Sequence, residues 1–142
     1  MKEQAEKAFK EMLEISTDLD KAVLYSGEEA VVSNFPDGLQ ATMVKKAKEL
    51  SAAGAVRAAS MGSAPLTQMV VESAGGTVFL VQEPQDDGLG MLATAKKDSR
   101  IGLVFYDLKT CIRDAQEVDE EPIDEEPIDE GPEADAGAEV EA

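Results

Sequence analysis

The sequence predicts an α/β domain of eight elements in the order α-β-β-α-β-β-β-α, followed by an acidic tail. Three observations predict it. Hydrophobic periodicity switches between a helical repeat and short β-rich runs along residues 1–116. Clusters of Gly, Pro, Ser and Asp punctuate the runs. Hydrophobic residues make up 43% of the chain but aromatics only 4%, so the core must come from Val, Leu, Ala and Met. A chain of 142 residues fits a single domain. A small aliphatic domain is marginal alone, and burial in a dimer would help it.

Lys2 to Thr17 reads as a helix. Ala5, Ala8, Met12 and Ile15 lie at helical spacing, widened by Phe9 and Leu13, with Glu and Lys alternating on the other face. Lys21 to Ser26 and Ala30 to Asn34 read as a β-hairpin around Ser26-Gly27-Glu28-Glu29. Phe35-Pro36-Asp37-Gly38 is a breaker. A long helix follows from about Leu39 to Met61, with Leu39, Met43, Ala47, Leu50 and Gly54 along one face. Its second half is Ala-rich. Small residues there admit a close neighbour, although Ala is also the best helix former; Gly54 weakens a helix by about 1 kcal/mol relative to Ala, which favours the packing account.

Gly62-Ser63-Ala64-Pro65 ends that helix. Leu66 to Ser73, Thr77 to Gln82 and Leu89 to Ala95 read as three strands of a meander. Their turns are Ala74-Gly75-Gly76 and Glu83 to Gly88. The second strand is the most continuously apolar and belongs inside the sheet. A last helix starts near Asp98, a candidate N-cap, and carries Ile101, Val104, Phe105, Leu108, Cys111 and Ile112 as its apolar stripe.

Charge divides the chain. The net charge is −17, yet residues 117–142 hold 13 acids and no base, leaving −4 on residues 1–116. The tail repeats Glu-Glu-Pro-Ile-Asp twice, and Pro122, Pro127 and Pro132 forbid a continuous helix. Repulsion and poor hydrophobicity leave it disordered by expectation. Such a polyanion repels phosphate backbones, which argues against nucleic-acid binding. No run approaches a membrane span or a signal peptide, so the expected location is the cytoplasm.

Chemistry is sparse. The chain has no His, no Trp and one Cys. Cys111 falls on an apolar helix face, where a thiol acts as a small hydrophobe, and neither it nor Ser60 or Ser63 has a His to activate it. Gly75-Gly76 and Gly88-Leu89-Gly90 lack the strand-to-helix setting of phosphate loops and read as turns. Glu28-Glu29 and Asp86-Asp87 are paired carboxylates in loops, where such acids are ordinarily solvated turn residues. No metal-ligand pattern is present and no cofactor is expected. Lys45, Lys46 and Lys48 form a solvated helix face or the polar rim of a partner site. Tyr25 and Tyr106 are further interface candidates.

Taken together, FKEMLEIS, the hairpin KAVLYSGEEAVVSNF, the strands QMVVESAGGTVFLVQ and the closing GLGMLATAKKDSRIGLVFYDLKTCI resemble the Roadblock domain family. The resemblance covers roughly Ala5 to Gln116 and rests on architecture, since the family has no invariant motif. Many members place Gly at the end of the first hairpin turn, whereas Gly27 stands at its start.

The resemblance implies a single Roadblock-like (profilin-like) α/β domain over residues 1–116. Its sheet would be five-stranded and mostly antiparallel, with two helices on one face and the long helix on the other. It implies a homodimer in which third strands pair and long helices pack side by side, which here means Met69, Val70, Val71, Leu50 and Gly54. It also implies a non-catalytic regulatory or scaffold role for a small Ras-like GTPase, with modulation of its hydrolysis as one form of that role. Thr42, Lys45, Lys46 and Glu49, on one side of the long helix, are the expected contact. A small-ligand sensor and a motor-type structural adaptor are the competing functions.

Overall fold

Two local hairpins and one late strand build the sheet. The computed structural model describes residues 2–85 and 88–116. The elements are α1 (Lys2–Ile15), β1 (Leu19–Ser26), β2 (Glu29–Ser33), a short 3-10 turn (Asp37–Leu39), α2 (Gln40–Ser60), β3 (Gln68–Ser73), β4 (Gly76–Gln82), β5 (Leu89–Ala95) and α3 (Ile101–Gln116). The acidic tail 117–142 and the Asp86-Asp87 pair lie outside the described residues. The strand order is β2-β1-β5-β4-β3, and all four ladders are antiparallel.

Each hairpin has a local cause. Gly27 takes φ +60° at the first central position of the two-residue loop between β1 and β2, a conformation that favours glycine. At the far end of β2 the Asn34 side chain replaces a strand: its Oδ1 accepts from Ala22 N–H at 2.7 Å. Ser33 Oγ in turn donates to Ala22 O and accepts from Phe35 N–H. These bonds hold the chain where it leaves β2 and turns toward α2.

The two faces of the sheet are covered differently. Helices α1 and α3 pack against each other over one face. There Phe9, Met12, Leu24, Phe79, Met91, Leu108 and Ile112 are buried, and Phe79 meets Phe105 edge to face at 5.1 Å between ring centroids. The other face carries α2 alone, which buries only Val44 and Ala47 of its own length. They pack with Val23, Tyr25, Phe35, Leu80 and Leu92.

Several sequence expectations are corrected. Ile15 is 70% exposed, because the inward stripe of α1 ends at Met12 and Ile15 projects at the mouth of the α1–α3 cleft. Leu39 is exposed in the 3-10 turn, and Val44 takes the inward position on α2. Asp98 is not the N-cap of α3: it adopts φ +65° and the helix begins at Ile101. Instead the Asp18 carboxylate accepts from Arg100 N–H at 2.9 Å and from Arg100 Nε at 3.1 Å. Gly90 lies within β5 rather than in a turn. It is the register partner of Tyr25, and a Cβ there would stand 2.5 Å from the Tyr25 ring. Tyr25 itself is buried, not an interface residue, whereas Tyr106 is exposed.

Candidate functional site

The β3 strand ends the sheet with an open edge. Its pairing with β4 runs Gln68↔Val81 to Ser73↔Gly76. One residue before it, Thr67 O accepts from Gln82 N–H. Directly opposed residues in an antiparallel ladder alternate between bonded and non-bonded pairs. Thr67, Met69, Val71 and Ser73 therefore turn their backbone groups toward β4. Gln68, Val70 and Glu72 turn theirs outward from the sheet. Val70 and Val71 are 37% and 43% exposed, so this edge is apolar as well as unpaired.

Beside the edge lies the second half of α2. A groove of about 820 Å³ runs between them, lined by Val56, Arg57, Met61, Met69 and Val70, with Phe105 reaching in from α3. Gly54 faces its own chain: a Cβ would come 2.8 Å from Met69 Sδ and 2.9 Å from Leu66 Cδ2. The small residue lets α2 settle onto the start of β3. Leu50 is half-buried against the same cluster. Of the expected dimer residues, Val70 and Val71 are on the open edge, while Met69, Leu50 and Gly54 form the α2–β3 seam beneath it.

The first half of α2 carries a different surface. Thr42, Lys45, Lys46 and Glu49 are all exposed on its outer side. The structure brings Lys45 and Glu49 together with Glu28, at the tip of the first hairpin, around a concavity of about 550 Å³. Thr42 and Lys46 are not among its lining residues. Lys48 lies beneath, its ammonium 5.6 Å from the centroid of the Tyr25 ring, a cation–π contact. Glu28 was missed as a contact candidate because its approach to α2 depends on how the hairpin folds over. Val56, 62% exposed and lining the β3 groove, stands seven residues after Glu49 on the same side of the helix.

Among the described residues, Tyr25, Cys111 and Asp18 depart clearly from their ordinary pKa values. Burial pushes the Tyr25 hydroxyl up to about 12. Burial, helped by Asp114, pushes the Cys111 thiol up to about 12, which keeps it a neutral core group near neutral pH. The Asp18 carboxyl is lowered by the Arg100 N–H and then by its guanidinium, and its role is to hold the start of α3. Among the described residues, no group of three or more His, Cys, Asp or Glu is placed to hold a metal ion. No helix among them is long and apolar enough to cross a membrane.

No family model matches the sequence, and no curated protein matches it. Solved structures do match its fold. The gliding protein MglB from Thermus thermophilus superposes with a TM-score of 0.67 at 15% identity, over 80% of this chain and 86% of that one. A Roadblock/LC7 domain from Streptomyces avermitilis gives 0.64 at 15% identity, over 73% and 88%. Myxococcus xanthus MglB gives 0.65 at 10% identity, over 80% and 85%. The chain has the Roadblock/LC7 fold.

Proposed function

We propose that this chain is a non-catalytic regulatory or scaffold partner of a small Ras-like GTPase, and that it works as a homodimer. One observation carries the reading: an apolar β3 edge with outward-pointing backbone groups, set beside the small, exposed half of α2, in a Roadblock fold. Two copies can pair β3 to β3 about a two-fold axis near Val70, which closes the edge on both. The α2 helices then approach side by side through Ala53, Val56 and their neighbours. Leu50, Gly54 and Met69 support that interface from within each copy.

Such pairing leaves Thr42, Lys45, Lys46 and Glu49 facing out on each α2, and these form the proposed GTPase contact. The fold likeness to MglB and to Roadblock/LC7 structures supports this reading at the level of architecture. Modulation of hydrolysis would act by ordering the switch loops of the GTPase. The alternative is an arginine supplied to the transition state. Arg57, the arginine of α2, lines the β3 groove instead of the Lys45 face, which favours switch ordering. The proposed setting is the cytoplasm, with residues 117–142 dispensable for folding.

The test has two parts. Light scattering on a sizing column should give twice the chain mass at tens of micromolar (roughly the range of modest affinities). Calorimetry against Ras-like GTPases loaded with a non-hydrolysable nucleotide should show binding. The Lys45→Glu, Lys46→Glu double variant should weaken it by about tenfold, as expected for a lost charged contact. Unchanged affinity would move the contact off this face. A monomer that binds no GTPase in either nucleotide state, but gains melting temperature from a small metabolite, would replace the reading with a sensor. A dimer that does neither is the adaptor.

A further inference from the structure

On the far side of the sheet from α2, a buried acid stands without a partner. Asp107 is 9% exposed on α3, and its Oδ2 atom is sealed from solvent and hydrogen-bonded to nothing among the described residues. It lines a cavity of about 60 Å³ in the cleft between α1 and α3, together with Glu11, Ile15, Thr110 and Asp114. A buried carboxyl oxygen left unsatisfied is costly, and a donor or cation arriving there relieves the cost. The cleft lining contains no basic residue. Asp114 Oδ1 is held by Arg113 at 3.4 Å, and Gln4 Nε2 donates to the Asp114 backbone carbonyl at 3.0 Å.

Three large apolar side chains of this helix layer are exposed. Ile15 is 70% exposed, Tyr106 64% and Leu103 42%. Leu103 and Tyr106 precede Asp107 and Thr110 by four residues each, so they stand on the same flank of α3. Ile15 approaches from α1. Ile15 thus lines the acidic hole, and Leu103 and Tyr106 stand on the flank of α3 beside it.

We propose that the α1–α3 cleft is a docking site for a basic amphipathic helix of a partner protein. One Arg or Lys of that helix enters the mouth of the cleft, where a turn of the Asp107 carboxylate brings an oxygen to it, and apolar residues one turn to either side pack on Ile15, Leu103 and Tyr106. Two packed helices offer a groove that a third helix fills by ridge-into-groove contact. Charge decides the occupant. The tail of this chain has 13 acids and no base, so it has no cation to offer Asp107. The cleft is on the opposite face from Lys45 and away from the β3 edge. The site therefore does not rest on the GTPase reading and would let one domain hold two partners.

The experiment pans a phage-displayed library of helical peptides on the full chain, then measures the enriched peptides by fluorescence anisotropy. The expected sequences carry one Arg or Lys flanked by apolar residues at helical spacing. Their affinity should fall by about tenfold with Asp107→Asn, the loss expected for one charge-assisted hydrogen bond, and comparably with Tyr106→Ala. It should not change with Lys45→Glu, Lys46→Glu. Enriched peptides without a base, or equal binding to Asp107→Asn, overturn the proposal. Two further readouts keep it exposed to failure. Asp107→Asn should melt at the same temperature or higher, since a carboxyl kept for binding is a burden to the free fold; a large drop makes Asp107 structural. Calcium or magnesium alone should not raise the melting temperature, and a rise abolished by Asp107→Asn would make the hole a cation site instead.

Discussion

The two faces of the sheet are built to different standards. Under α1 and α3 the core is deep and continuous, from Ala5 to Ala115 in sequence, and centres on Phe79 and Leu108. Under α2 it is a thin seam around Val44 and Ala47, bordered by Gly54 and by an exposed β3. A domain that needed only to fold would cover both faces alike. The α1–α3 layer holds the larger share of the buried core, and the α2–β3 side leaves Val56, Met61, Val70 and Val71 exposed.

That contrast can be broken by substitution. Phe79→Ala, in the deep core, should cost about 3–5 kcal/mol in denaturant unfolding, since it removes a fully buried ring and its edge contact with Phe105. A loss no larger than that of an edge residue would remove the distinction between the faces. Gly90→Ala tests the seam. The new methyl group would overlap the Tyr25 ring, which Lys48 covers, so the change should cost about 1–3 kcal/mol. A neutral result would show the seam to be loose.

Two adjacent prolines sharpen the picture at the edge. Val71→Pro removes an N–H that faces β4 and should destabilise the hairpin by about 1–3 kcal/mol. Val70→Pro removes an N–H that faces outward. It should leave the melting temperature of dilute protein nearly unchanged and shift light scattering toward the monomer. If the two variants behave alike, the edge is not the dimer contact. The smallest effect is expected at Asp18. Its folded pKa lies below the ordinary carboxylate value, so its cap is at full strength above about pH 4, the unfolded value, and is lost as pH falls through the folded pKa. Asp18→Asn should therefore flatten the acid limb of melting temperature against pH, with little change near neutrality beyond the lost cap.

Much of the fold was legible because its signals are local. Periodicity and turn residues place every helix and strand to within a few residues, and the apolar content of Thr77 to Gln82 marks an interior strand. The misses are long-range. The cap of α3 comes from Asp18, 82 positions earlier, which no local pattern around Asp98 could show. Tyr25 reads as an amphipathic surface residue, but Gly90 leaves a gap that its ring fills. Ile15 and Asp107 fall where a helical stripe meets a second helix. Spacing alone cannot tell the inward side of such a seam from its open mouth. The candidate contact residues of α2 were readable from helical spacing, while Glu28 depends on how a distant hairpin bends.

The strand order has a consequence for how the chain is made. β5 is the last strand to leave the ribosome, yet it sits in the middle of the sheet, with β1 on one side and β4 on the other. Until it arrives, the two hairpins have no ladder to join them, and the inner edges of β1 and β4 stand open along with the outer ones. A nascent chain paused before Leu89 is thus two unjoined halves. It should need a chaperone in a way that the finished domain does not, and aggregation during synthesis should depend more on residues 89–95 than on any surface strand.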